Sequence, residues 1–319
     1  MPHHFIADSR PLAGRLRRAV IEGVAIVAAM AGLFGSAPAV AWLGSAPLPA
    51  AAAAPSAYET LIDLRPVTFT MTVDWVKVPV TSSIEELASN PMFWRSMHFD
   101  DWDRLPSEVR DRALPRMMER YSAVVADPGW WPLLGAADWD MVPQPVRAVL
   151  FPRMIEHWAD VYGLTRIRGV NPGLMVTTLN AVMMAESWFE HRGINVNEWG
   201  NRDLGLGGCS DRCRRVLGEM AEAGHLDFSL AEEDYFNPWH STRALVVWFG
   251  LELARANCNL DLAVRAYHRG FETAVDGEGV EYLTTVKRLR RRYFGDESPS
   301  PTLQTLRGWS SRAIPDTTH

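Results

Sequence analysis

Residues 171–189 read NPGLMVTTLNAVMMAESWF, and this stretch decides the fold. Asn171 followed by Pro172 is a helix entry: the asparagine side chain caps free N–H groups, and proline fixes φ where no donor is needed. Met175, Leu179, Val182 and Phe189 then recur at spacings of four, three and seven, which is one face of an α-helix. Gly193 is the expected stop. The stripe lacks one member, because position 186 holds a glutamate. A carboxylate on a core-facing stripe costs free energy unless it is paired or neutral. The negative end of the helix dipole disfavours its ionised form further. Both effects push the pKa upward, into the range where a carboxylic acid can deliver a proton near neutral pH. Periodicity alone leaves a second reading open, in which Glu186 snorkels to solvent or pairs with Arg192.

The residues downstream extend the helical reading. Asn237-Pro238 repeats the entry device ahead of an apolar run to about Ala256, and Asn259 caps a short helix that Gly270 ends. Gly279 to Phe294 forms a last helix with a basic final turn of Lys287, Arg288, Arg290, Arg291 and Arg292, where the dipole favours positive charge. That turn reads as a solvated face, with contact to an anionic glycan or a membrane as the alternative. Between these helices lies Asp203-Leu204-Gly205-Leu206-Gly207-Gly208. Glycines at this density let a backbone approach a ligand closely, or simply make a turn.

Upstream, a unit is duplicated. Asp101-Trp102-Asp103, Pro106, Val109-Arg110, Pro115-Arg116-Met117 and Glu119 recur 37 residues later as Asp138-Trp139-Asp140, Pro143, Val146-Arg147, Pro152-Arg153-Met154 and Glu156. A proline beside acidic residues marks a helix start, so each copy opens with a fresh helix. Two copies are too few for a solenoid and read as a helical wall of the core. The sharper alternative has Trp102 and Trp139 lining a sugar-binding groove. Before the duplication, Val67, Phe69, Met71, Val73 and Trp75 alternate, the period-two signature of one short strand or hairpin, and no other segment repeats it.

The N-terminus carries Arg10, Arg15, Arg17 and Arg18, then the apolar run GVAIVAAMAGLF and Ala39-Val40-Ala41. A basic start, an apolar centre and an A-x-A end make residues 1–41 a cleaved signal peptide, with an uncleaved membrane anchor as the alternative. Residues 42–57 are an Ala- and Pro-rich linker. Then come a helical N-terminal region, 58–165, a second helical region, 166–295, and a disordered tail, 296–319. Export would place the protein in the periplasm or cell envelope. It would also leave Cys209, Cys213 and Cys258 in an oxidising compartment, with one disulfide of undetermined pairing and one thiol left over.

Composition closes off other classes. The 319 residues are 47% hydrophobic and 22% charged, which excludes a mostly disordered chain and a multi-span membrane protein. The net charge of −6 argues against a nucleic-acid partner, which needs a basic face. His157, His191, His225, His240 and His268 show no metal-ligand spacing, no phosphate-binding loop is present, and no cofactor is implied. Cys209 and Cys213, four apart, suit a structural bridge or simple packing better than a redox pair.

Glu186-Ser187, then Gly205-Leu206-Gly207-Gly208, then Ala266-Tyr267-His268 form an ordered set that resembles the soluble lytic transglycosylase catalytic domain of the lysozyme-like superfamily. That family has Glu-Ser at a helix end, a Gly-Leu-Met-Gln loop and an Ala-Tyr-Asn motif. The present loop keeps the first two positions, and His268 replaces the asparagine. The resemblance covers about residues 170–295. It implies a mainly α, lysozyme-like catalytic domain acting on peptidoglycan glycan strands. Glu186 would be the single acid/base: it protonates the oxygen between N-acetylmuramic acid and N-acetylglucosamine, then accepts the proton of the muramoyl 6-hydroxyl as a 1,6-anhydro ring closes. Ser187 and Tyr267 would support it. Gly205, Leu206, Gly207, Gly208, His268 and Tyr282 would meet substrate. Asp203 stays open between a second catalytic carboxyl, as in goose-type lysozymes, and a cap for the helix beyond the glycines. A non-catalytic glycan-binding or scaffold protein with a cell-envelope machinery partner is the rival from another class.

Overall fold

The computed structural model describes residues 66–73, 76–97, 99–196 and 200–295. The expected leader (1–41), linker (42–57) and tail (296–319), and Trp75, lie outside them. The described residues are mainly helical, with two small antiparallel sheets. None of their helices is long and apolar enough to cross a membrane.

Of the two readings, one short strand or a hairpin, the structure has the hairpin. β1 (Pro66–Val73) pairs antiparallel with β2 (Val76–Ser83), Pro66 opposite Ser83 and Val73 opposite Val76. Val76, Val78 and Val80 alternate along β2, and Pro79, at an intervening position, lacks a ladder donor. A two-stranded ribbon tolerates this because each strand is an edge.

The duplication is structural. Short helices α1 (Ile84–Ser89) and α2 (Pro91–Ser96) lead into the first copy, α3 (Phe99–Arg104) and α4 (Ser107–Arg120). After α5 (Ser122–Ala126) and a 3-10 turn at Pro128–Leu133, the second copy follows as α6 (Ala136–Asp140) and α7 (Gln144–Val161). Pro106 and Pro143 stand at the N-cap of the long helix in each copy, and Pro115 and Pro152 lie inside those helices. Equivalent positions are equally closed off: Val109 and Val146 are 0% exposed, Met117 and Met154 0%, Arg110 and Arg147 6%. Trp102 and Trp139 are buried as well. This corrects the sugar-groove reading: both rings are core, and neither faces a groove.

α8 (Pro172–Ser187) is the central helix, capped by the Asn171 side chain accepting from Leu174 N at 3.0 Å. It does not run to Gly193. Trp188 and Phe189 turn left-handed (φ 49° and 64°), and this turn, rather than the helical stripe, buries Phe189. Then come β3 (Ile194–Val196) paired with β4 (Arg202–Leu204), α9 (Asp211–Glu222), α10 (Pro238–Arg255), α11 (Leu260–Arg269), α12 (Phe271–Val275) and α13 (Val280–Leu289), continued by a π turn at Arg290–Phe294. Asn237, Asn259 and Gly270 take the cap positions the sequence assigns them. The larger buried cluster runs from Ile84 through Val146, Phe151 and Met154 of α7, Met175, Leu179 and Val182 of α8, and Phe249 of α10 to Phe294, and a smaller one joins Leu204, Cys213, Leu217, Tyr235 and Trp248.

Candidate active site

Four segments meet around the last turn of α8. The first is that turn, which carries Glu186. Apolar residues before it lock the helix into the core, Met175, Leu179 and Val182 being fully buried. Glu186 therefore reaches the boundary of the core with its carboxyl largely out of water. Tyr282 of α13 donates its hydroxyl to Glu186 Oε1. Arg192, the alternative partner, is bound instead to Asp140, with Nε 2.7 Å and 2.8 Å from the two carboxylate oxygens. The snorkelling and Arg192 readings are thereby corrected.

The second segment is the glycine turn. Leu204 and Cys209 exchange backbone hydrogen bonds of 3.1 Å and 2.9 Å and close the turn over Gly205–Gly208. A Cβ on Gly208 would stand 2.5 Å from Glu186 Oε2, on a backbone with φ +53°. Gly205, also left-handed, is pressed against the Tyr235 carbonyl and would put a Cβ 2.6 Å from Ser241 Oγ. Only glycine fits both places. Ser241 of α10 in turn accepts from Leu206 N at 2.9 Å, fixing the turn to the core. The Cys209–Cys213 disulfide fastens its far end to α9. Cys258 is left exposed and free.

The third and fourth segments are α11 and α13. Tyr267 donates to the Gly207 carbonyl at 2.5 Å, so it steadies the turn. His268 is exposed and stacks on Tyr282, ring centroids 4.3 Å apart and planes within 3°. Ser187 bonds back to the Met183 carbonyl at 3.0 Å within its own helix. Thus Glu186, Gly207, Gly208, Tyr267, Tyr282 and His268 are brought together, Leu206 lies buried beneath the turn, and Ser187 is engaged locally.

Asp203 sits in β4 opposite Asn195. It does not cap the next helix, whose N-cap is Ser210, Oγ accepting from Cys213 N at 3.2 Å. Burial raises the Asp203 pKa, Arg214 lowers it and Asp211 raises it.

Electrostatics set the carboxyl between acid and base. Burial is the main force raising Glu186; the Tyr282 hydrogen bond opposes it and the negative field of Asp203 adds to it, so the pKa is pushed up to about 7. Tyr267 and Tyr282, raised by burial and by Glu186, remain protonated donors. A carboxyl with these properties can both give up and take back a proton near neutral pH. Among the described residues no cluster of three or more His, Cys, Asp or Glu could hold a metal ion.

Sequence reasoning missed one constellation. Glu190, His191 and Arg192, just beyond the left-handed turn, are gripped by Asp140, Gln144 and Arg147 of the second repeat. The buried position of His191 has no periodic signal, because it lies outside any helix or strand. No protein-family model matches the chain, and neither do any curated proteins or solved structures.

Proposed function

We propose that the protein is a peptidoglycan lytic transglycosylase with Glu186 as its single general acid and base. The observation that carries the reading is the seat of Glu186: a carboxyl held by the Tyr282 hydroxyl, backed by Gly208 and titrating near 7. Protonated Glu186 gives its proton to the glycosidic oxygen as the C1–O bond breaks. The 6-hydroxyl oxygen of the same muramoyl residue then bonds to C1, and its proton passes to the Glu186 carboxylate. Acid and base are restored, no water enters, and the nucleophile is already in the substrate, where proximity replaces a second catalytic group. Residues 1–41 are read as an export leader or anchor, which brings the enzyme to its glycan in the periplasm or cell envelope. A cell-envelope machinery partner fits the same reading.

Mass spectrometry of muropeptides released from purified sacculi tests it, with Glu186→Gln beside the parent. Products lacking one water, from the parent only, are expected. One observation favours a second reading: the Asp203 charge acts on Glu186 from β4. In a lysozyme-type hydrolase Asp203 would assist water attack. Products with an ordinary reducing end, lost in Asp203→Asn, would establish it. Glycan binding by the parent without turnover would return the protein to a binding or scaffold role.

A further inference from the structure

The duplicated unit lies outside the chemistry just described, yet its second copy touches the segment that leaves the catalytic helix. Three consecutive residues there each find a partner in α6, α7 or the turn between them. Glu190 Oε2 accepts from Gln144 Nε2 at 3.0 Å. His191, with no exposed surface, has Nδ1 2.7 Å from Arg147 Nη1 and Nε2 3.1 Å from Asp140 Oδ1 and 3.2 Å from the Ala136 carbonyl. Arg192 takes both oxygens of Asp140.

The geometry fixes the imidazole as neutral: Nδ1 accepts from Arg147, which has no acceptor to offer, and Nε2–H donates to Asp140 and Ala136. Burial and the Arg147 charge hold its pKa below the usual histidine range. Between this grip and Glu186 stand only Ser187, Trp188 and Phe189. Two of these, Trp188 and Phe189, are non-glycine residues in left-handed conformations, a local strain that persists only where surrounding contacts over-determine it. Phe189 is fully buried and Trp188 packs edge-on against Tyr293 at 6.3 Å. The 190–192 grip is a further restraint, supplied from the second copy of the duplication.

We propose that the second copy of the duplication is a positioning element for the catalytic helix, with Asp140, Gln144 and Arg147 acting through His191 to hold the exit of α8 and thereby the direction of the Glu186 carboxyl toward Tyr282 and Gly208. The first copy has Asp103 and Arg110 at the places of Asp140 and Arg147, but Ser107 and Phe99 at those of Gln144 and Ala136. Its role is to build the wall. The second copy builds the wall and aims the site. This inference rests on Glu186 being the acid, so its test includes a readout that does not need turnover.

The test uses the full chain and three variants. His191→Ala removes the link, and Arg192→Ala removes only the half-exposed pair with Asp140, so the latter keeps the fold. Arg116→Ala, the control, removes a comparable surface pair of the first copy, with Glu85 at 2.7 Å. Each is checked by thermal melting. Glu186 is then titrated by NMR of side-chain 13C-labelled glutamate, its signal assigned through Glu186→Gln.

In His191→Ala, the Glu186 pKa is expected to fall from about 7 by a unit or more as the carboxyl swings toward water. Arg192→Ala should move it the same way by less, and Arg116→Ala should leave it unchanged. On glycan, kcat should drop by roughly 10- to 100-fold in His191→Ala with KM nearly constant, the signature of a misaimed group. His191→Asn, which keeps an acceptor for Arg147, should recover part of both. If His191→Ala melts early, Arg192→Ala decides. Unmoved Glu186 titration in the variants that melt like the parent overturns the proposal. A parent without turnover would sink the transglycosylase reading and leave the titration result standing.

Discussion

A carboxyl that titrates near 7 in the native state, and near its ordinary 4.5 in the unfolded chain, binds more protons folded than unfolded between those values. Stability from this group is therefore present at low pH and is lost as pH rises from about 4.5 to about 7, on the order of 3 kcal/mol in all. Glu186→Gln removes the ionisation and keeps an acceptor for Tyr282. It is expected to raise Tm relative to the parent at pH 8 and far less at pH 5, by calorimetry at the two pH values. Since only the protonated form can donate, kcat/KM of the parent should fall about tenfold per pH unit above about 7. At Gly208, alanine would force either Glu186 or the left-handed turn to move. A loss of about 1–3 kcal/mol in denaturant melts is expected, with cleavage reduced well beyond it. At this scale the sequence announced the buried carboxyl, because a glutamate interrupts an apolar stripe. It could not announce Tyr282, 96 residues away, as the partner, since nothing local distinguishes a tyrosine that bonds a carboxyl from one that meets substrate.

Among the elements, caps were the most legible feature. Asn171, Asn237 and Asn259 each precede a helix and accept from its first turn, because an asparagine oxygen can reach those N–H groups whatever the tertiary surroundings. Asn171→Ala should cost about 1 kcal/mol, measured by urea melts. The end of α8 was less legible, since burial of Phe189 overrides its helical preference four residues before Gly193. β2 was less legible because its alternation is only Val76, Val78 and Val80 long with a proline among them, and β3 and β4 are too short to have a pattern. The Cys209–Cys213 bridge closes only a short loop, worth about 2 kcal/mol in the unfolded chain by loop entropy. Its position matters more than that figure, for it ties the glycine turn to α9. Cys209→Ser with Cys213→Ser is expected to lower Tm modestly, and to lower kcat more than Tm implies.

At the scale of the molecule, motifs run from about 170 onward, but the larger buried cluster begins at Ile84 and does not divide there. Trp139, Phe151 and His191 form a chain of ring contacts at 5.5 Å and 6.5 Å from the second repeat to the segment beyond α8. Residues 166–295 alone would expose the apolar partners of α8 and lose the wall built by α7. That fragment is expected to be poorly soluble and to lack a cooperative melt, whereas the whole chain should unfold in one calorimetric transition. The mainly helical class was readable from spacing, and so was the duplication, because both are one-dimensional patterns. That the duplication shares a core with α8 is a three-dimensional fact no spacing encodes. With two of the three cysteines bonded, the exposed Cys258 at the bend between α10 and α11 is a ready-made attachment point for a fluorophore. The native chain should therefore take up one maleimide per molecule, and the dye would sit at the start of the helix that carries Tyr267, able to report glycan capture by its emission without any engineered residue.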